Sequence, residues 1–260
     1  MRQLNTTPNE NLNLLSVMPI SRVDAKRIVL AKHYMKTFPQ GARVCFGIMK
    51  GKRAVGVCVF GYSSSTEAKA SKLVPGLNRS EILEMQRFWV NDSCGHNTES
   101  FVLAKIMKLL KIAGVRVVVT HAGGCKNDCG FVYQASGWMY FGRAKCNDFF
   151  LTAGGEYRNI IAAMRFGRVS SKNKTPNQIG RELYGPGEIV DSWRYLYLYP
   201  IDKGIRRRLA SSEKPYPKES AVYRFQQEWV ENGAGEGHPL KGSGSNPDCS
   251  TTQRNGEMNG

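Results

Sequence analysis

The run Val115–Thr120 is dominated by β-branched side chains. Apart from Arg116 near its start and Thr120 at its end, a strand of that composition offers little polar surface to water, so it belongs in a sheet covered on both sides. The residues before it supply one cover. Asn97 and Thr98 can cap a helix in which Phe101, Val102, Ile106, Leu109 and Leu110 recur at helical spacing, until Gly114 ends it. A helix feeding directly into a doubly buried strand points to a layered α/β or α+β domain.

Other segments fit that class. Ser21, three residues ahead of Asp24, opens a helix toward His33 and Tyr34, and Pro39 and Gly41 stop it. Arg43–Met49 and Ala54–Gly61 read as a hairpin turned at Lys50-Gly51-Lys52, and Glu81–Val90 alternates as a strand. Beyond the central strand come a Gly/Cys-rich loop (Ala122–Gly130), a short helix (Phe131–Ser136) and a strand (Trp138–Arg143). Phe149–Ala153 and Glu156–Ile161 flank Gly154-Gly155 as a second hairpin, Thr175-Pro176 opens a further short helix, and Trp193–Tyr199 is an aromatic strand. The expected organisation is a loose polar tail over 1–16, one domain over 17–212 and a largely disordered tail over 213–260. Within the domain a mixed central sheet is flanked by helices, and a β-rich extension occupies residues from about 145 to 212.

Lys and Arg number 37 against 21 Asp and Glu, a net charge of +16. Charge of that sign and size attracts polyanions, nucleic acid first among them. The basic runs Lys69–Arg79, Arg143–Lys145, Arg165–Lys174 and Arg206–Arg208 are candidate phosphate contacts. No stretch approaches the roughly 20 apolar residues of a membrane span, and the polar N-terminus has no apolar signal core. An intracellular protein with a nucleic acid rather than a membrane as partner is expected. Its seven cysteines, an odd number scattered over strands and loops, are expected to be reduced thiols.

Two patterns then narrow the field. Val132-Tyr133-Gln134-Ala135-Ser136-Gly137-Trp138 resembles the short-helix-to-strand signature of the GNAT acyltransferase superfamily. His33-Tyr34-Met35-Lys36, Glu84-Met85-Gln86-Arg87-Phe88-Trp89, Gly95-His96-Asn97-Thr98-Glu99-Ser100 and Thr120–Trp138 together look like the Mom DNA-modification proteins of Mu-type phages, over most of residues 20–200. That resemblance implies a GNAT-related fold. It also implies an enzyme, at work in the cytoplasm of the bacterial host, that converts adenine in double-stranded DNA to N6-carbamoylmethyladenine and so shields phage DNA from restriction. Two other readings stand beside it: an ordinary N-acetyltransferase acting on a protein or small amine, and a non-catalytic DNA-binding anti-restriction protein on the same scaffold.

GNAT enzymes cradle the pyrophosphate of acetyl-CoA on a Gly-rich loop at the start of the central helix. Here Ser93–Ser100 has one Gly and places His96 and Glu99 in the loop, which argues against acetyl-CoA. A carbamoylmethyl group on the adenine amine is an isomer of a glycyl group, so a glycyl donor is the expectation. His33 is a candidate base or metal ligand, with Tyr34 placed to hydrogen-bond the adenine. Arg87, in an otherwise apolar strand, either pairs with Glu84, Glu99 or Asp128 or faces a phosphate or donor carboxylate. Ser100 would cap or coordinate at the helix start, Asp128 would orient the adenine amine, and Tyr133 would protonate the leaving group.

Asn97, Glu99, His121 and Gln134 are candidate substrate-binding residues, the amide of Gln134 matching an adenine edge. His121, Cys125, Asp128 and Cys129 are metal-ligand types, but the second cluster of a structural zinc site is missing. The metal expectation is an open site for iron or another divalent ion from His33, Tyr34 and Asp128. The acceptor amine is stacked inside the duplex, so the base must be flipped out. Tyr62, Tyr140, Trp193 and Tyr195 are candidate stacking partners.

Overall fold

The computed structural model of the protein describes residues 10–62, 70, 72–123, 129–165, 170 and 172–218. A 3-10 turn (Glu10–Leu14) leads into β1 (Leu15–Pro19), followed by α1 (Arg22–Lys32), β2 (Ala42–Lys50), β3 (Arg53–Gly61) and β4 (Ile82–Val90). Next come α2 (Thr98–Ile112), β5 (Val117–Ala122), α3 (Phe131–Ala135) and β6 (Met139–Thr152). The chain continues through β7 (Tyr157–Asn159), α4 (Ile160–Arg165), α5 (Pro176–Tyr184), β8 (Gly187–Pro200) and α6 (Lys203–Leu209). The strands form one sheet in the order β1-β2-β3-β4-β5-β8-β6-β7. Every neighbouring pair is antiparallel except β4 and β5, which run parallel.

The central strand is as buried as its composition requires: Val117, Val118 and Val119 are all fully inaccessible. Val118 faces the layer of α2, packing with Leu103, Ile106 and Leu110, Phe60 and Met85. Val117 and Val119 face the opposite layer, where Ile205 and Leu209 of α6 and Ile82 complete a second cluster. On that same opposite side α1 lays Ala25 and Val29 on Val57, Val59 and Trp89. Burial of each such aliphatic side chain contributes about 1.5–3 kcal/mol. Arg116 marks where the strand begins, because its guanidinium reaches out to Glu81 and Asp202 at 3.2 and 2.8 Å.

Several boundaries depart from the sequence reading. The loose N-terminal tail is shorter than expected, since Leu15–Pro19 pairs with β2 along its whole length and Leu15 is buried. Trp138–Arg143 and Phe149–Ala153 belong to one strand, β6, which pairs with β8 throughout and absorbs two register shifts. The tail also starts later than expected. Residues 213–218 lie against the domain, with the Tyr216 hydroxyl donating to Trp138 O at 2.6 Å and the Lys214 amide to Tyr140 O at 2.8 Å. The basic run Arg206–Arg208 sits on α6, where Arg206 donates to Gly137 O.

Residues 187–194 of β8, ahead of its pairing with β5, lie beside β6 alone and form an extension with a core of Phe150, Ile160 and Ile179. The five described cysteines are free thiols. Among the described residues no helix is long and apolar enough to cross a membrane.

Candidate functional site

The parallel pairing of β4 with β5 is short. It runs from Ile82 opposite Val117 to Glu84 opposite Val119 and goes no further. Past that point β4 stays with β3 and β5 stays with β8, so the two strands part and leave a notch in the middle of the sheet. A register shift opposite Val59 and Phe60 bends β4 there. The Thr120 hydroxyl, donating to Met85 O at 3.0 Å, still ties β5 to β4 just past that point. A break in a sheet next to a parallel pair frees backbone groups and turns side chains of two strands toward one space, where α/β folds place their ligands.

Glu84 and His121 face each other at this point, with Oε1 3.9 Å from Nδ1 and both side chains less than one-fifth exposed. The parallel register puts them on the same side of the sheet, Glu84 in the last pair with Val119 and His121 two residues beyond it. Gln86 adds its amide, donating to the other Glu84 oxygen and to Tyr62 O, each at 3.4 Å. The Gln86 carbonyl oxygen is buried and has no partner among the described residues, a condition that ordinarily carries a penalty. Arg79 and Arg43 lie over the Tyr62 ring at 4.9 and 5.9 Å, so Tyr62 is held between two cations rather than free to stack on a base.

His33 closes the same side from the end of α1. It caps the helix, its amide bonded to Val29 O, and its ring is 5% exposed. The Met35 amide donates to Nδ1 at 3.1 Å. Burial first, and the nearby Arg87 cation second, hold the imidazole pKa down at about 3. The ring is therefore neutral, and with Nδ1 used as an acceptor its proton sits on Nε2. His33 is placed to donate a hydrogen bond, not to act as the general base expected from sequence. A metal on Nε2 would require moving that proton to Nδ1 and breaking the Met35 bond. Tyr34 stacks on His33 with ring centroids 4.5 Å apart and is 69% exposed, an aromatic surface facing outward beside the site.

Arg87 draws the same turn onto β4. Nε donates to Thr37 O at 3.0 Å, Nη2 to the Thr37 hydroxyl at 2.9 Å and Nη1 to Gln86 O at 2.6 Å. Three bonds of this kind make Arg87 a positioning group for the His33–Phe38 turn.

Tyr133 comes from α3, which starts at the end of β5. That approach depends on Gly130: at φ +82 it takes a conformation that side chains disfavour, and a Cβ there would lie 2.6 Å from the Ala122 Cβ. Tyr133 is half-buried, with its ring 5.2 Å from Trp138 and 5.5 Å from Tyr197. Gln134 is not free to read a base. Its amide nitrogen donates to the Tyr197 hydroxyl at 3.0 Å and to Pro217 O at 3.4 Å, tying α3 to β8 and to the 213–218 segment. Burial pushes the Tyr197 phenol well above its ordinary range. Tyr140 and Tyr195 are core residues, and Trp193 is stacked under Arg143 at 4.2 Å.

The start of α2 gathers the remaining candidates. Asn97 takes a left-handed conformation at φ 64 and gives the helix no side-chain cap. The Ser100 hydroxyl donates back to Asn97 O at 3.1 Å, the habit of an ordinary first-turn serine. The buried Thr98 hydroxyl donates to Cys94 O and Gly95 O. Burial first, and then Glu99 in the first turn and Asp92 before it, raise the Cys94 thiol pKa against the pull of Lys50. The Glu99 carboxylate lies in the first turn, where it meets the helix dipole. Asp128 and Cys125 lie outside the described residues, as do Lys69 and Arg168 of the basic runs. Among the described residues no group of three or more His, Cys, Asp or Glu is placed to hold a metal.

The structure thus brings together His33, Tyr34 and Arg87, and separately Glu84 with His121, all on one side of the sheet. Glu84 was visible from sequence only as a partner for Arg87, since its own partner is set by strand register.

The chain is similar to proteins of known kinds. It is 27% identical over 212 residues to the methylcarbamoylase Mom of Escherichia phage Mu, a match covering 78% of this chain and 84% of that protein. Among solved structures it is similar to NAA60 of Arabidopsis thaliana in complex with a bisubstrate analogue, with 14% identity, 72% of this chain and 97% of that chain covered, and a TM-score of 0.43. It is also similar to the spermidine/spermine N-acetyltransferase SpeG of Vibrio cholerae, with 9% identity, 76% and 98% covered, and a TM-score of 0.43. Residues 14–218 match the Mom protein family, and with that much of its length inside the match the chain belongs to the Mom protein family.

Proposed function

We propose that this protein is a transferase that modifies adenine in double-stranded DNA, leaving a carbamoylmethyl group on its amino nitrogen and protecting the DNA from restriction. Membership of the Mom family, with a relative in phage Mu named a methylcarbamoylase, is the observation that carries the reading. The chemistry rests on the Glu84–His121 pair. Glu84, 3.9 Å from Nδ1, is the carboxylate that would hold the tautomer with Nε2 unprotonated, the form a general base needs. His33 supplies the complementary group, an Nε2–H donor for a ring nitrogen or carbonyl.

The donor is an activated ester of glycine rather than acetyl-CoA, in keeping with the carboxylates at the start of α2. In the first step the adenine amine attacks the glycyl carbonyl, the ester oxygen leaves with a proton, and His121 takes the proton released by the amine. In the second step the glycyl amine attacks ring carbon six. The bond from that carbon to the original amino nitrogen breaks, and this nitrogen departs as the carboxamide, accepting the proton that the attacking amine gives up. Atoms balance without an oxidant or reductant. Tyr133, on the short helix α3, gives the leaving group its proton, and an iron or other divalent ion at the turn that carries His33 is a lesser part of the reading because Nδ1 is already engaged.

The flipped base has an outward aromatic surface to meet in Tyr34. Plasmid DNA from bacteria expressing the whole chain tests the reading. Digestion with restriction enzymes whose sites contain adenine should be blocked, and complete digestion by all of them, from cells with abundant folded protein, would overturn it.

A further inference from the structure

α1 and the strand start after it make a strongly basic stretch. Residues 22–43 hold six Lys and Arg (Arg22, Lys26, Arg27, Lys32, Lys36, Arg43) and one acid, Asp24. That single carboxylate is already occupied, by Arg27 at 2.7 Å and the Ser21 hydroxyl at 2.6 Å. Between α1 and the turn after it lies a groove of about 300 Å³ lined by Arg22, Lys26, Leu30, Lys36, Phe38 and Pro39, with Thr37 in its wall. Its lining combines apolar side chains with cationic ones.

The cationic side chains are not a random scatter of flexible lysines. Arg22 is fixed over the Phe38 ring at 5.6 Å and donates to Gln40 O and Ala42 O. Lys36 has a left-handed backbone, φ 48, which a residue with a side chain adopts only under constraint. Its ammonium rests on Ala31 O at 3.3 Å, at the groove's edge. Lys26 has no partner among the described residues. Leu30 stays 41% exposed across from them. The groove also adjoins the site directly, because Thr37 is the residue that Arg87 grips and Tyr34 stands on the same turn.

We propose that this groove holds one nucleotide of the DNA strand next to the modified adenine, its phosphate on Lys26, Lys36 and Arg22 and its sugar and base edge on Leu30, Phe38 and Pro39. The volume suits a single nucleotide unit, and the pairing of apolar with cationic side chains suits its two halves. The inference rests on DNA being the substrate and names where the strand is gripped. It also accounts for the exposure of Leu30 on α1 and of Tyr34 in the turn after it.

The test is binding of the full-length protein to a short fluorescent adenine-containing duplex over a range of salt concentrations. A Lys26→Gln/Lys36→Gln variant is compared with the native protein and with Lys108→Gln/Lys111→Gln on the exposed face of α2. The groove variant should show a salt slope smaller by about two and, at roughly 0.1 M salt, an affinity lower by about eightfold for each lost contact. The α2 variant should match the native protein. Equal slopes for the two variants would overturn the groove. Nucleoside analysis of DNA from cells expressing the native chain separates this from the enzymatic reading. Modified adenine together with an unaltered slope in the groove variant sinks only the groove, whereas a reduced slope in that variant supports the groove even where no modified base is found.

Discussion

Replacing His33 by Asn isolates the histidine's protonation from its shape. The imidazole is 5% exposed, lies in the field of Arg87, and has its pKa depressed from 6.5 to about 3. Between those values the unfolded chain binds a proton that the native protein refuses. Stability from this group is therefore complete above pH 6.5 and drains away as the pH falls toward 3. At about pH 4.5, roughly two units below the unfolded value, the loss is about 2.7 kcal/mol at 1.36 kcal/mol per unit. Asn can set its Oδ1 near the position of Nδ1 and keep the Met35 amide satisfied, yet it cannot take up a proton. Urea unfolding of both proteins at about pH 7 and about pH 4.5 reads the difference, because every other titrating group is shared and cancels. The native protein should lose about 2–3 kcal/mol more than His33→Asn on acidification. Equal losses would refute the buried neutral histidine and, with it, the assignment of Nε2–H as a donor.

Other expectations follow from particular contacts. Glu84→Gln removes the carboxylate that orients His121 and should lower the rate of DNA modification about 10²–10⁴-fold, while binding of a DNA duplex changes less than twofold by the same salt titration. Gly130→Ala forces a side chain into a left-handed position 2.6 Å from the Ala122 Cβ and should destabilise the fold by about 2 kcal/mol or more, read by thermal unfolding. Leu103→Ala empties a site that is 1% exposed in the α2 layer and should cost about 2–5 kcal/mol by urea unfolding. A chain ending at Ser212 should melt below one ending at Lys218, because it loses the Tyr216–Trp138, Lys214–Tyr140 and Gln134–Pro217 bonds; coincident melts would show that the 213–218 segment contributes nothing.

The layered core was legible because its signals are local. The β-branched centre of β5 and the helical spacing of α2 each declare their burial within a dozen residues, and Ser21 bonds Asp24 N as its spacing foretells. Elements were lost where a local signal was weak or had a second meaning. β1 is five residues long at the sheet edge, next to a polar Asn-rich stretch, so nothing in its own composition separates it from a tail. β6 reads as two strands because Lys145–Asp148 is polar, and Asp148 is nonetheless buried by pairing with Arg194 across the sheet. α6 is hidden by Arg206–Arg208, which look like a phosphate contact until Asp202 is seen to cap the helix.

The site was harder still. His33, Arg87 and Tyr133 stood out by residue type, but the proton position on His33 depends on a single backbone amide, and the use of Arg87 depends on a turn fifty residues earlier. Glu84 acquires its role from His121 solely through a three-pair parallel register, which no spacing rule along the chain could supply. Gln134 offered the right amide for adenine and was spent on fixing α3 to Tyr197.

Nucleoside mass spectrometry of DNA from bacteria expressing this chain, beside cells expressing Glu84→Gln, tests the proposed activity most directly. The native chain should yield a deoxyadenosine heavier by two carbons, three hydrogens, one nitrogen and one oxygen, and the variant should yield little or none at equal protein level. Unaltered deoxyadenosine from cells holding folded native protein would contradict the reading, and full modification by Glu84→Gln would contradict the site.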